Sequence, residues 1–231
     1  DESYRRQFRK FYGEKLSPRV WQRDFGDAMI IDCPDAALIG KNFEEVAMAR
    51  GVHVVDLFLD LVVEFGRNIR WYTTVGNHRK QVLKRLVKDP RSLITFSDAG
   101  AHIRNMAFYN LPLRMLKLVH ESINDGDPIM TMEQAVHRLT GDQADWFGVD
   151  AGKIREGDRA DVVVIDPAGF NQDLEQVHWG EMENFDLQRL VNRNPGIVKT
   201  VLINGRLAVD DEQFSPSFGR EMGYGQFIPA R

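Results

Sequence analysis

Hydrophobic and polar positions alternate with two different periods along most of the chain. Short apolar runs bounded by turn residues predict strands at residues 27–34, 68–75 and 92–98. Apolar residues at spacings of three and four predict helices at 42–51, 53–66, 77–89 and 111–123. Residues 1–26 suggest a short amphipathic helix and a loop around Pro18. Strands that alternate with helices along the chain are typical of a parallel sheet with crossover helices.

The pattern changes after a further helix, predicted at 131–148 from a capping box of Thr131 and Gln134. Residues 160–167 and 198–209 are rich in β-branched residues, and Asn204-Gly205 is a strong hairpin signal. A polar loop is expected between them. We therefore predict a partial α/β domain over residues 1–148 and a C-terminal tail of strands over 149–231.

Composition narrows the function classes. The chain has 231 residues, 43% of them hydrophobic and 28% charged, which is typical of an ordinary globular protein. A net charge of −4 does not suggest a nucleic-acid partner, and the basic run at 5–10 is interpreted as a solvated helix face. No run of eighteen apolar residues occurs and the N-terminus is charged, so we expect no membrane association and a cytoplasmic location.

The single cysteine, Cys33, excludes an internal disulfide and a cysteine-rich zinc site within one chain. It could be a metal ligand or a lone buried thiol. Of the six histidines, His120 and His137 lie on predicted helices and are expected to be surface or packing residues.

Asp98 ends the apolar stretch at 92–98. Ligand sites in parallel α/β proteins lie beyond the carboxyl ends of the strands, where a carboxylate can bind a metal ion or accept a proton from metal-activated water. An aspartate in this position can equally cap the turn that follows the strand. The residue alone leaves both readings open.

Two later stretches bear on that choice. Gly152, Ile154, Gly157, Ala160 and Asp161 form a G-x-I-x-x-G-x-x-A-D pattern that leads into a short apolar strand. This pattern and the stretch at 198–211 resemble the C-terminal signature and closing strand pair of the metal-dependent amidohydrolase superfamily.

Another stretch, earlier in the chain, resembles one branch of that superfamily, the N-acyl-D-amino-acid deacylases or D-aminoacylases. The matched positions are Gly40, Glu45, Ala47, Gly51, Asp56, Asp60 and Leu61. Together the two resemblances run over residues 27–209.

The resemblance implies a TIM-type (β/α)8 barrel whose eighth strand ends at Asp98. It also implies that Asp98 is the catalytic aspartate, which accepts a proton from zinc-bound water and passes it to the leaving nitrogen. His102 would either face the substrate or be structural. Met106, Phe108, Tyr109 and Asn110 would line the pocket or serve packing.

The chain departs from the family pattern because it has no H-x-H pair, which the family uses for its metal. A full barrel needs about 250 residues, and only about 120 residues of α/β pattern precede Gly148. We therefore expect the C-terminal part of a barrel, about three to four βα units, followed by strands of a small β-sandwich. Asp98 could bind zinc only with ligands from the missing N-terminal half, so this chain alone is expected to hold no tight zinc and to be inactive.

The sequence thus favours a zinc-dependent amidohydrolase that cleaves a C–N amide bond in a small molecule, such as an N-acyl-D-amino acid. The alternative is a non-catalytic half-barrel that acts as a binding or assembly module, as a homo-oligomer or with the missing half. A nucleotide-binding α/β domain is disfavoured because no glycine-rich turn or P-loop occurs between strand and helix.

Overall fold

The computed structural model describes residues 1–14, 24–74, 76–95, 97, 109–182, 186–192 and 194–230. The chain divides into two compact units, Asp1–Leu83 and Lys84–Arg231. Helices and strands are mixed in both, which confirms the α/β class. The domain boundary predicted between residues 148 and 149 stays a prediction.

The described residues of the first unit form α-helices and short strands. They are α1 (Glu2–Gly13), β1 (Met29–Asp32), α2 (Phe43–Arg50), α3 (Val54–Phe65) and β2 (Arg70–Tyr72), and α4 (Lys80–Lys88) begins in this unit.

The core of the first unit is an aromatic cluster. Phe25 and Phe43 are completely buried. The ring of Phe58 lies 4.9 Å from that of Phe25 and 5.4 Å from that of Phe43, and Trp71 packs at an edge, 5.7 Å from Phe43. These separations are those of interacting aromatic pairs, so α2, α3 and β2 are joined through one set of rings.

Helix α1 is joined to α3 by ion pairs. Arg9 contacts Asp56 at 2.5 Å, and Arg5 pairs with Asp60. The run at 5–10 lies on α1, none of whose residues is buried, and Arg5 and Arg9 of this run also pair with α3. Their charges are matched by carboxylates one turn apart on α3.

Strands β1 and β2 pair antiparallel, with Ile30 opposite Trp71 and a bulge between Ile30 and Asp32. The sequence predicted parallel strands with crossover helices, and this pair differs from that prediction. The reversal follows from two connected helices, α2 and α3, which return the chain to the strand in the opposite direction. Periodicity identifies a strand but carries no information on its direction.

After the rest of α4, the described residues of the second unit form further helices and then strands. They are α5 (Leu111–Asn124), α6 (Met132–Leu139), α7 (Gly141–Phe147), β3 (Val162–Ile165), β4 (His178–Met182), β5 (Leu187–Val191), β6 (Val198–Ile203), β7 (Arg206–Asp210) and β8 (Gln213–Phe214). A buried cluster that includes Met115, Val119, Phe170 and Ile197 connects α5 to the strands.

Strands β3, β6, β7 and β8 form one antiparallel sheet in the order β3-β6-β7-β8. The hairpin predicted at Asn204-Gly205 joins β6 to β7, and both residues have positive φ, 51° and 76°. This part of the prediction is confirmed.

Two predictions for the second unit are wrong. The helix expected over 131–148 is broken at Thr140, whose φ of −127° and ψ of −80° are not helical, so α6 and α7 are separate. The loop expected after residue 167 contains β4 and β5, an antiparallel pair in which Trp179 lies opposite Leu190. Polar residues interrupt the apolar alternation in both strands, which is why the pattern did not show them.

Within the described part of the chain, no helix has the length and apolar character needed to span a membrane.

Candidate active site

The two residues with predicted roles in chemistry, Asp98 and His102, lie outside the described residues, as do Met106 and Phe108. The catalytic role of Asp98 and the substrate-binding role of His102 therefore stay predictions. The structure does describe the chain on both sides of them, up to residue 95, at 97 and again from 109.

Residues 89–95, called here the approach segment, lead to Asp98. Residues 92–95 form no strand, although the sequence predicted one over 92–98. The carbonyl groups of Ser92 and Ile94 accept hydrogen bonds from side chains instead. Arg138 Nη2 donates to the carbonyl oxygens of Asp89 at 3.0 Å and Ser92 at 2.5 Å, and Gln143 Nε2 donates to that of Ile94.

A local turn opens the approach segment. The carboxylate of Asp89 accepts hydrogen bonds from the Arg91 backbone N–H at 2.9 Å and from its guanidinium at 2.9 and 2.6 Å. These bonds favour the ionised form and lower the pKa of Asp89 from 3.8 to about 2. The Asp89 carboxylate in this turn is therefore ionised throughout the neutral pH range.

The residues that follow the undescribed stretch serve packing. Asn110 is 8% exposed, and its amide donates to the Leu174 carbonyl and to Asn194 Oδ1, both at 2.8 Å. The hydroxyl of Tyr109 donates to the Leu190 carbonyl at 3.3 Å. Of the two readings left open for these residues, the structure favours packing.

The described residues do not fit a zinc ion. Among them no group of three or more histidine, cysteine, aspartate or glutamate side chains is placed to bind a metal. Cys33 is buried in the core of the first unit, which agrees with a lone thiol. His137 pairs with Asp142 at 2.8 Å, and His120 contacts Asn124 at 3.0 Å, as expected for surface or packing histidines.

The residues of the G-x-I-x-x-G-x-x-A-D pattern shape the backbone. Asp161 Oδ1 accepts a hydrogen bond from Asn204 N–H at 2.6 Å, and the Ala160 carbonyl accepts one from Gly205 N–H at 2.8 Å. The pattern therefore anchors the β6–β7 hairpin to the start of β3. Gly152 and Gly157 both have positive φ, 75° and 85°.

The two glycines differ in the space around them, which predicts different costs of substitution. A Cβ on Gly152 would lie 2.7 Å from the Thr140 carbonyl carbon, whereas a Cβ on Gly157 would meet nothing within 4 Å. Gly157→Ala should cost about 1 to 2 kcal/mol for the left-handed backbone alone. Gly152→Ala adds the clash and should cost at least about 2 kcal/mol, and more than Gly157→Ala. Urea denaturation measures the free energy of unfolding of both variants. An equal decrease in the two would contradict a steric clash at Gly152.

The positions matched to the deacylase branch also have structural roles. Glu45 completes a capping box with Asn42, Gly51 ends α2 at φ 66°, and Leu61 is completely buried. Asp56 and Asp60 are the carboxylates that bind α1. These contacts support the fold of the first unit.

The sequence interpretation missed Arg138 and Gln143. Polar residues on amphipathic helices usually face solvent, and neither residue belongs to a recognised motif. The break at Thr140 places one on each of two successive helices, and this break was not predicted.

Solved structures with a similar chain course include a D-aminoacylase, 21% identical with a TM-score of 0.46 over 88% of this chain and 38% of that one. An N-acyl-D-glutamate deacylase of Bordetella bronchiseptica, complexed with zinc and a phosphonate inhibitor, is 22% identical with a TM-score of 0.45 over 87% of this chain and 37% of that one. Both structural likenesses are weak.

The sequence matches are stronger. Uncharacterized proteins of Mycobacterium tuberculosis (strain ATCC 25618 / H37Rv) and Mycobacterium bovis (strain ATCC BAA-935 / AF2122/97) are each 46% identical over 99% of this chain, which spans 38% of their length. A dihydroorotase of Clostridium acetobutylicum is 26% identical over 58% of this chain and 33% of its own length.

The match to a family model covers most of the chain. The model is that of the amidohydrolase family, and it matches residues 20–208. This range includes the approach segment, Asp98 and the G-x-I-x-x-G-x-x-A-D pattern. The chain therefore belongs to the amidohydrolase family.

Proposed function

We propose that this chain is the C-terminal part of a zinc-dependent amidohydrolase that cleaves the C–N amide bond of N-acyl-D-amino acids. The observation that carries the proposal is the family match over residues 20–208, which includes Asp98. The chain spans 38% of the length of its mycobacterial relatives, so a complete active site would draw on residues outside it.

In this proposal Asp98 is the general base and acid. Its carboxylate accepts a proton from the attacking water and returns it to the leaving nitrogen as the amide bond breaks. Proton transfer of this kind accelerates a reaction by about 10² to 10⁴-fold. His102 lies four residues further on and would contact the substrate.

Zinc would be held mainly by residues outside this chain. The described residues do not supply three ligands, and a catalytic zinc needs three from the protein. Asp98 would add one ligand to those of the preceding half. This chain by itself would therefore have no tight zinc and no hydrolase activity.

The substrate class follows from the resemblance to the deacylase branch. The proposal includes a small-molecule amide as substrate, a cytoplasmic location, and association of this chain with the N-terminal half.

The proposal is tested by expressing the chain together with its genomic upstream sequence, called here the longer protein. We expect it to hydrolyse N-acyl-D-amino acids to the carboxylate of the acyl group and the free amino acid, whose amine is then detected. The L enantiomers should react more slowly. The proposal is contradicted if the longer protein hydrolyses neither enantiomer, and more fully if it hydrolyses no amide in a broad panel.

A further inference from the structure

We infer that Arg138 and Gln143 are positioning residues that fix the approach segment, and through it the place of Asp98. The inference rests on the proposed function, because it assigns Asp98 a part in the reaction. It adds two residues that lie on helices remote in sequence from Asp98.

The first observation is where the two side chains donate. Arg138 Nη2 binds the carbonyl oxygens of Asp89 and Ser92, and Gln143 Nε2 binds that of Ile94. In a strand, such carbonyls would accept hydrogen bonds from a neighbouring backbone. Here two side chains take the place of that strand for the carbonyls of Ser92 and Ile94, whereas the Asp89 carbonyl also accepts a hydrogen bond from the Ser92 backbone N–H at 3.0 Å.

The second observation is that Gln143 also binds the end of the helix that carries Arg138. Gln143 Nε2 also approaches the Arg138 carbonyl at 3.3 Å, across the break at Thr140 between α6 and α7. A shift of α7 relative to α6 would therefore disturb both hydrogen bonds of Gln143.

The third observation is the environment of the Arg138 guanidinium. Its Nε is buried and has no hydrogen-bond partner within the described parts of the chain. No ion pair of Arg138 occurs there either: its guanidinium donates to backbone carbonyls, and its charge also helps to lower the pKa of Asp89. The half-buried guanidinium is thus bound to the approach segment, which agrees with a positional role.

The distance along the chain makes the constraint effective. Ile94 precedes Asp98 by four residues, which span at most about 14 Å when fully extended. A base must lie within hydrogen-bond reach of the proton that it accepts, and a displacement of about 1 Å can cost 10²-fold in rate. Loosening of the approach segment would therefore reduce turnover more than substrate binding.

The test uses the longer protein with Arg138→Met, Arg138→Lys and Gln143→Glu. Gln143→Glu keeps the side-chain size but replaces the donor with an oxygen that faces the Ile94 carbonyl. Arg114→Met is the matched control, because Arg114 also lies on a helix of the second unit but pairs with Glu175 at 2.6 Å, away from the approach segment. Thermal melting gives the folded fraction of each variant.

We expect Arg138→Met and Gln143→Glu to lower kcat per folded molecule by about 10 to 100-fold, with KM within about twofold of the parent. Arg138→Lys should recover part of the loss, since an ammonium can still donate to one carbonyl. Arg114→Met should keep kcat. A purely structural role for Arg138 would lower the melting temperature and leave kcat per folded molecule unchanged.

The outcomes separate two failures. If Asp98→Asn is inactive while Arg138→Met and Gln143→Glu keep the kcat of Arg114→Met, the positioning role is wrong and the proposed function stands. If Asp98→Asn keeps its activity, Asp98 is not the base and the positioning role fails with it. A longer protein that hydrolyses no amide contradicts the proposed function itself.

Discussion

Asp98→Asn in the longer protein should lower kcat by about 10³-fold, within the range of about 10² to 10⁴ for a lost general base. Asparagine has the same size and hydrogen-bonding reach as aspartate but cannot accept the proton of the attacking water. We therefore expect the melting temperature to stay close to that of the parent. Steady-state kinetics on an N-acyl-D-amino acid measures the change.

The matched control is Asp158→Asn. Asp158 is exposed in a loop of the second unit, and its substitution by asparagine removes the same negative charge. Its variant should keep the parental kcat. An Asp98→Asn protein with kcat within about tenfold of the parent would exclude Asp98 as the base.

Phe43→Ala should lower the free energy of unfolding by about 3 to 5 kcal/mol, the usual cost of deleting a buried phenylalanine ring. Phe43 is completely buried and contacts the rings of Phe25, Phe58 and Trp71. Because these three side chains lie far apart in sequence, no local rearrangement can fill the cavity that the substitution leaves. The loss is a large share of the about 5 to 15 kcal/mol that stabilises a typical domain.

Urea denaturation of the 231-residue chain, followed by tryptophan fluorescence, measures this change because Trp71 belongs to the cluster. Val63→Ala is the control, since Val63 lies on α3 of the same unit and is 81% exposed. It should cost less than about 0.5 kcal/mol. Equal losses for the two variants would mean that the aromatic cluster does not hold the first unit together.

The helices could be predicted from sequence because their signals are local. Asn42 and Glu45 form the capping box of α2, and Thr131 and Gln134 form that of α6. Each signal involves residues three apart, so its physics is complete within one turn. The Asn204-Gly205 turn is local in the same way.

The pairing of strands depends on distant residues, and it was predicted less well. The antiparallel course of β1 and β2 is set by the path of α2 and α3 between them. The approach segment looked like a strand because it is apolar, but its carbonyls are bound by Arg138 and Gln143 of α6 and α7. Such partners lie more than forty residues away and leave no periodic trace.

Asp98 was singled out from its position at the end of an apolar run and from a family resemblance. The amidohydrolase family match confirms the resemblance at that level. The metal ligands could not be located, because the described residues contain no ligand cluster and the chain spans 38% of its relatives.

The central claim is that this chain contributes one aspartate to a zinc site completed by residues outside it. The most direct test is the zinc content per chain, by plasma emission spectrometry, of the 231-residue chain and of the longer protein after dialysis against a weak chelator. We expect bound zinc in the longer protein, reduced by Asp98→Asn, and none retained by the shorter chain. Stoichiometric zinc in the 231-residue chain would contradict the account, and so would a longer protein without zinc.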